Sequence, residues 1–93
     1  IYYIIKLIMD KIINGWTIIG KENCTYCGMS IELLNNNFIE FNKLDSSIFT
    51  QEEINNIKTI NNIKSYPFIY KDKEFIGGYR ELKNYLQINN NII

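Results

Sequence analysis

The apolar residues of this chain recur at helical spacing in some segments and form short compact runs in others. Ile5, Ile8 and Ile12 fall on one face of a helix predicted over residues 2–13, which Asn14-Gly15 ends. The run at 16–20, of sequence WTIIG, is rich in β-branched residues and predicts a buried strand. The first segments therefore predict a helix followed by a strand.

In the middle of the chain a segment with helical spacing is again followed by a predicted strand. Apolar positions at helical spacing predict a second helix over 25–36, and the alternating run at 38–42 predicts a second strand. Thr50 and Glu53 make a capping-box pattern, which opens a third helix. The predicted inward positions of these two helices are Cys27, Ile31, Leu34, Ile54, Ile57 and Ile60.

The last third predicts a hairpin and a final helix. Strands are expected over 68–71 and 74–76, joined by a tight turn at 72–73 and ended by Gly77-Gly78. A helix over 79–88 follows, and residues 89–93 are expected to fray. Its inward positions are Leu82, Tyr85 and Leu86. The order α-β-α-β-α-β-β-α predicts one α/β domain over residues 1–93, a four-stranded mixed sheet flanked by helices.

Composition removes several classes of function. Histidine is absent, which excludes Ser-His-Asp and Cys-His catalysis and imidazole metal sites. The formal net charge is zero with no basic block, so we expect no nucleic acid partner. The two cysteines lie three residues apart, too close to staple a secreted scaffold. We expect a cytoplasmic monomer without a membrane segment, where a Cys-x-x-Cys usually serves redox or metal chemistry.

Cys24 is the candidate nucleophile. It lies between the first strand and the second helix, where unpaired backbone N–H groups and the helix dipole stabilise a thiolate. Lys21, three residues earlier, adds a positive charge. We therefore predict a lowered pKa for Cys24, with Cys27 one turn further in as a more buried resolving thiol. Two other interpretations stay open: a pair of buried apolar cysteines, and half of a zinc site shared by two chains.

Pro67 and Gly77-Gly78 are weaker signals. Pro67, the only proline, precedes a predicted strand, and spacing alone favours an ordinary trans proline there. The glycine pair permits close approach of a ligand to the start of the last helix, where a carboxylate could bind. A plain tight turn explains the glycines equally well.

Together these segments resemble the glutaredoxin family of the thioredoxin-like superfamily. The resemblance rests on the order and spacing of three segments, KENCTYC at 21–27, KSYP at 64–67 and FIGGY at 75–79, and covers nearly the whole chain. It implies a thioredoxin-like fold, a cis bond before Pro67, and a glutathione-dependent oxidoreductase acting on protein disulfides and glutathionylated proteins. Glutathione would be the co-substrate, and no metal is expected.

The resemblance also implies roles for individual residues. Cys24 would be the nucleophile and Cys27 the resolving thiol. Lys21 and Lys64 would meet glutathione carboxylates, and the Tyr66 backbone next to Pro67 would pair with the cysteinyl unit. Tyr26, Gly78, Tyr79 and Arg80 would line the rest of the groove.

Departures from the family pattern keep two further functions open. Thr25 replaces the more common proline, and some relatives without that proline share a [2Fe–2S] cluster between two chains through the first cysteine and glutathione. Arg80 stands where the family often has Asp, Ser or Thr, which puts glutathione affinity in question. The second alternative is an oxidoreductase dedicated to one protein, such as a ribonucleotide reductase or a viral-type thiol oxidase.

Overall fold

A computed structural model describes residues 2–90, with side chains described through Ile88. The elements are α1 (Tyr2–Lys11), β1 (Trp16–Gly20), α2 (Thr25–Asn36), β2 (Phe41–Asp45), a 3₁₀ turn (Ser46–Ile48), α3 (Gln51–Asn61), β3 (Phe68–Lys71), β4 (Glu74–Gly77) and α4 (Tyr79–Asn90). The predicted order is therefore confirmed. Helix α4 ends at residue 90, two residues later than predicted, and the rest of the predicted tail lies outside the described residues.

The sheet has the strand order β2-β1-β3-β4. Strand β1 pairs in parallel with β2 and antiparallel with β3, and β4 extends β3 as a hairpin. The mixed sheet follows from the connections, because a helical crossover returns β2 parallel to β1 whereas the two-residue turn reverses β4. This is the thioredoxin-like arrangement that the resemblance implies.

Two apolar clusters cover the two faces of the sheet, because neighbouring strand residues point to opposite sides. Ile19 and Phe68 face helices α1 and α3, together with Ile8, Ile12, Phe49, Ile54, Ile57 and Tyr70. Ile18 and Ile69 face α2 and α4, together with Leu34, Leu82 and Leu86. Ile60 was predicted to face inward, but it is 51% exposed, one turn beyond Ile57 on the outer side of α3.

The second strand starts three residues later than predicted. Phe38 has φ 56°, is 94% exposed and donates its N–H to Asn35, while Ile39 donates to Leu34. These bonds close the carboxyl end of α2 in a Schellman motif. The N–H groups of residues 38 and 39 therefore bond to helix carbonyls and not to a neighbouring strand. The alternating run misled the prediction because Gly, not Phe, usually takes this left-handed position.

Candidate functional site

The two cysteines lie where strand β1 passes into helix α2. They form a disulfide with a Cα–Cα separation of 5.2 Å. Cys24 is the N-cap residue of α2, and its Sγ accepts a hydrogen bond from the Cys27 N–H at 3.2 Å. In the reduced protein the same N–H and the helix dipole would stabilise a thiolate on Cys24.

The two cysteines differ in exposure, and Cys27 is the more buried one, as predicted. Cys24 is half-buried, whereas Cys27 is 5% exposed and packs against Gly20. A Cβ on Gly20 would lie 3.3 Å from the Cys27 Sγ, so glycine at the end of β1 lets the inner sulfur pack closely. A substrate disulfide can therefore reach Cys24 more easily than Cys27.

Residues at the start of α2 line two depressions. The first, which we call the dithiol pocket, has a volume of about 280 Å³ and is lined by both cysteines, Lys21 and residues of β1, β2 and α2. The second, the Pro67 cleft, has a volume of about 610 Å³. Its lining comprises Tyr26, Met29, Ile63, Ser65, Tyr66, Pro67, Gly78, Tyr79, Arg80, Glu81 and Lys83.

The Pro67 cleft gathers most of the residues that the resemblance names. The Tyr66–Pro67 peptide bond is cis, so the preference for trans that spacing alone suggested is wrong, and the implication of the resemblance is confirmed. The rings of Tyr26 and Tyr79 meet with centroids 5.8 Å apart, which joins the start of α2 to the start of α4. Segments far apart in sequence therefore form one cleft.

Lys21 connects the two depressions. It lines the dithiol pocket, while its Nζ lies 5.2 Å from the centroid of the Tyr66 ring, which lines the cleft. This cation–π contact holds the positive charge of Lys21 against a ring that lines the cleft. Lys64, in contrast, is exposed and lines neither depression, so its part in binding stays a prediction from the resemblance.

The start of helix α4 retains free hydrogen-bonding capacity. Gly78 donates its N–H to the Glu81 carboxylate at 2.8 Å, and Leu82 donates to the Gly78 carbonyl. Within the described residues, no acceptor is found for the N–H groups of the intervening first turn. Gly77 precedes this turn with φ +136°, and a Cβ there would lie 2.5 Å from that of Glu81, so only glycine fits. An anionic ligand group could accept from these amides.

Three residues near the cleft escaped the sequence analysis. Glu81 follows Gly78 by three residues, the spacing of a capping box, which could have indicated its hydrogen bond. Lys83 lines the cleft one turn after Tyr79, and Lys58 of α3 lies 5.8 Å from the centroid of the Tyr66 ring. No local pattern marks Lys58, because its neighbour Tyr66 belongs to a different element.

The described groups with clearly shifted pKa values lie outside the Pro67 cleft. Hydrogen bonds from Ser47 and from the Gly15 N–H lower the pKa of Asp45 and Asp72, respectively. The Lys11 ammonium, which hydrogen-bonds Glu53, lowers the pKa of that carboxyl, and burial raises the pKa of Tyr70 to about 12. These shifts accompany structural contacts of α1, β2, α3 and the β3–β4 hairpin.

Over residues 2–90, no helix has the length and apolar character to cross a membrane. Among the same residues, no group of three or more His, Cys, Asp or Glu side chains is placed to hold a metal ion.

Comparison with known proteins relates this fold to solved structures. No protein-family model and no curated protein sequence matches the chain. A glutaredoxin from Brucella melitensis has a TM-score of 0.68 and 24% identity, with 82% of each chain covered. Glutaredoxin 1 from Francisella tularensis, in complex with cacodylate, has a TM-score of 0.65 and 25% identity over 83% of this chain and 96% of that one.

A more distant sequence gives a closer superposition. The buckwheat glutaredoxin–glutathione complex has a TM-score of 0.79 at 12% identity, covering 95% of this chain and 83% of that one. At such identities the likeness shows the fold, and the chemistry rests on the cysteine pair of this chain. The chain therefore combines the glutaredoxin fold with a Cys-x-x-Cys disulfide at the start of a helix, which is the arrangement of a dithiol thiol–disulfide oxidoreductase.

Proposed function

We propose that the protein is a glutathione-dependent thiol–disulfide oxidoreductase that reduces protein disulfides and glutathione mixed disulfides in the cytoplasm. The observation that carries the proposal is that Tyr26, which stands between Cys24 and Cys27 in sequence, lines a cleft together with Pro67, two further tyrosines and the open first turn of α4. The resemblance to a glutaredoxin solved with glutathione supports the choice of co-substrate.

The chemistry begins with nucleophilic attack by Cys24. Its thiolate attacks the glutathionyl sulfur of a glutathionylated protein, a Cys24–glutathione disulfide forms, and the protein thiolate leaves and takes a proton from water. A second glutathione thiolate then attacks the glutathionyl sulfur, which releases oxidised glutathione and restores the Cys24 thiolate. The half-buried position of Cys24 gives the substrate sulfur access to this atom.

Protein disulfides require the second cysteine. Cys24 attacks one sulfur and releases the other as a thiolate, and Cys27, once deprotonated, attacks the Cys24 sulfur of the mixed disulfide. The substrate is released as a dithiol and the enzyme is left with the Cys24–Cys27 bond, which is the state of the structure. Two glutathione molecules return it to the dithiol.

Glutathione has two carboxylates that need partners in the cleft. In the proposed complex Lys21 binds one, and the free N–H groups at the start of α4, together with Arg80, bind the other. Tyr26 and Tyr79 contact the body of the tripeptide, the Tyr66 backbone pairs with its cysteinyl unit, and Gly78 leaves room beside Pro67. Lys64 stands two positions before Tyr66 in the sequence and is proposed to assist in binding a carboxylate of glutathione.

The test is glutathione-coupled reduction of a glutathionylated peptide by the native chain and two variants. Cys24→Ser should abolish turnover, while Cys27→Ser should retain it on the glutathionylated peptide but lose reduction of protein disulfides. Full activity of Cys24→Ser would refute the role of Cys24. Equal rates when glutathione is replaced by an uncharged small thiol would instead favour an enzyme dedicated to one protein partner.

A further inference from the structure

The charged residues of the chain divide into paired and unpaired groups. Lys6, Lys11 and Lys71 form ion pairs with carboxylates. Four cationic side chains that either line the Pro67 cleft or contact the ring of Tyr66 have no carboxylate partner and no side-chain hydrogen bond within the described part of the chain. These are Lys21, Lys58, Arg80 and Lys83.

The only carboxylate in the lining of the Pro67 cleft, among the described residues, is already engaged. Glu81 accepts the Gly78 N–H at 2.8 Å and is directed to the helix start. Arg80 and Lys83 in the lining, with Lys21 and Lys58 beside the Tyr66 ring, outnumber Glu81, although the chain as a whole has a formal net charge of zero. A surplus concentrated at one cleft attracts anionic groups.

Bound glutathione would not use all of this charge. Under the proposed function, its two carboxylates go to Lys21 and to the start of α4 with Arg80. Lys58 and Lys83 remain, on α3 and α4. Lys58 lies over the Tyr66 ring, and Lys83 lines the same cleft as Tyr66, so both ammonium groups border the path of a peptide that enters beside Pro67.

We propose that Lys58 and Lys83 select protein substrates that carry acidic residues next to the disulfide cysteine. The occupant is an extended peptide segment: its cysteine sulfur meets Cys24, its backbone lies along Tyr66, and its carboxylates meet the two lysines. Exposed apolar surface of Tyr26 and Met29 is available to the peptide's other side chains. The inference rests on the proposed disulfide chemistry, but not on the use of glutathione.

The test uses two peptides that differ only in charge. Each carries one cysteine as a mixed disulfide with thionitrobenzoate, flanked by glutamates in one peptide and by glutamines in the other. The fully reduced protein is mixed with each peptide in stopped flow without glutathione, and the released thiolate gives the second-order rate constant. At a salt concentration of about 0.02 M the acidic peptide should react about threefold to tenfold faster, and at about 0.5 M the two should react alike.

Matched variants assign the preference to the two lysines. The double variant Lys58→Gln/Lys83→Gln should lose the preference while the rate with the glutamine peptide is kept, and Lys58→Arg/Lys83→Arg should keep it. Lys73→Gln is the control, because Lys73 is exposed, has no ion pair within residues 2–90 and lies in the turn beyond the far end of β3. It should behave as the native chain does.

The outcomes separate this inference from the proposed function. Equal rates for the two peptides in low salt, or a preference that survives in the double Gln variant, would overturn the role of Lys58 and Lys83 and leave the oxidoreductase intact. Failure of the reduced protein to react with either peptide would overturn the disulfide chemistry, and this inference with it.

Discussion

The junction of α1 with α3 and the Pro67 cleft both contain charged side chains, but only the junction pairs them. At the junction Lys11 donates to the Ile48 carbonyl and to Glu53 at 2.8 Å, and Glu53 also accepts the Thr50 N–H. Arg80 and Lys83 in the cleft, and Lys21 against its Tyr66 ring, have no carboxylate partner among the described residues. Paired charges stabilise the fold, whereas unpaired ones remain available to a ligand.

The difference has a physical cause in burial. Glu53 is 2% exposed, and an unpaired carboxylate there would lose its hydration without compensation. Arg80 and Lys83 are exposed and stay hydrated until a ligand displaces the water. Charge removal should therefore cost stability at the junction and activity at the cleft.

The largest effect is expected from Glu53→Gln. The variant removes the negative charge beside Lys11, which is itself partly exposed, and we expect the free energy of unfolding to fall by about 2 kcal/mol, as for the loss of a charge-assisted hydrogen bond. Urea unfolding measures it. Glu52→Gln is the control, since Glu52 is exposed in the same helical turn, and should change stability by less than about 0.5 kcal/mol. Equal losses in both variants would contradict the special position of Glu53.

The same pair predicts a pH dependence of stability. The Lys11 ammonium lowers the pKa of Glu53 from 4.5, so its contribution is complete above pH 4.5 and is lost as the pH falls through the lowered value. The difference in unfolding free energy between the native chain and Glu53→Gln should thus be constant near neutrality and shrink below pH 4.5. If this difference in unfolding free energy stays constant until the protein unfolds in acid, the pairing of Glu53 with Lys11 is contradicted.

Lys21→Gln should reduce activity and leave stability nearly unchanged, which is the reverse of what is expected for Glu53→Gln. Loss of one charge-assisted contact should lower kcat/KM for glutathione about tenfold, which corresponds to about 1.4 kcal/mol. Stability should change by less than about 1 kcal/mol, because only the contact with the Tyr66 ring is lost. Lys21→Arg keeps the charge and should retain most of the activity. A stability loss as large as that of Glu53→Gln would remove the contrast between the two regions.

The smallest effect is expected in the turn between β3 and β4. Asp72 and Lys73 have φ 50° and 69°, the two positive values of a type I′ turn, where glycine is favoured at the second position. Lys73→Gly should stabilise the fold by about 0.5 kcal/mol, since relief of the left-handed cost exceeds the added chain entropy. Thermal unfolding would detect this, without change in activity.

A variant at the neighbouring position provides the control for this turn. Asp72→Gly would lose the hydrogen bond that the Gly15 N–H donates to the Asp72 carboxylate at 2.8 Å. It should therefore destabilise the fold despite relieving the same backbone conformation. Stabilisation by both substitutions would show that the bond to Gly15 contributes little.

Local interactions could be predicted wherever a few neighbouring residues decide the structure. The capping box of Thr50 and Glu53 forms as expected, and Cys24 caps α2. One failure also has a local cause, because Phe38 occupies a left-handed position that its residue type does not indicate. Ile60 matched the helical period of Ile54 and Ile57 but is 51% exposed, because the other elements that pack on α3, and not its own period, decide how much of each face is covered.

The sequence by itself determined the order of elements, the placement of the dithiol at a strand-to-helix junction and, through three spaced motifs, the resemblance to glutaredoxins. Only the tertiary structure decided which lysines are paired, that Lys21 and Lys58 share the Tyr66 ring, and that Tyr26 meets Tyr79. Helical period and capping depend on residues within a turn or two, and these can be read along the chain. Charge pairing depends on side chains from separate elements, such as Lys11 and Glu53, that only packing brings together.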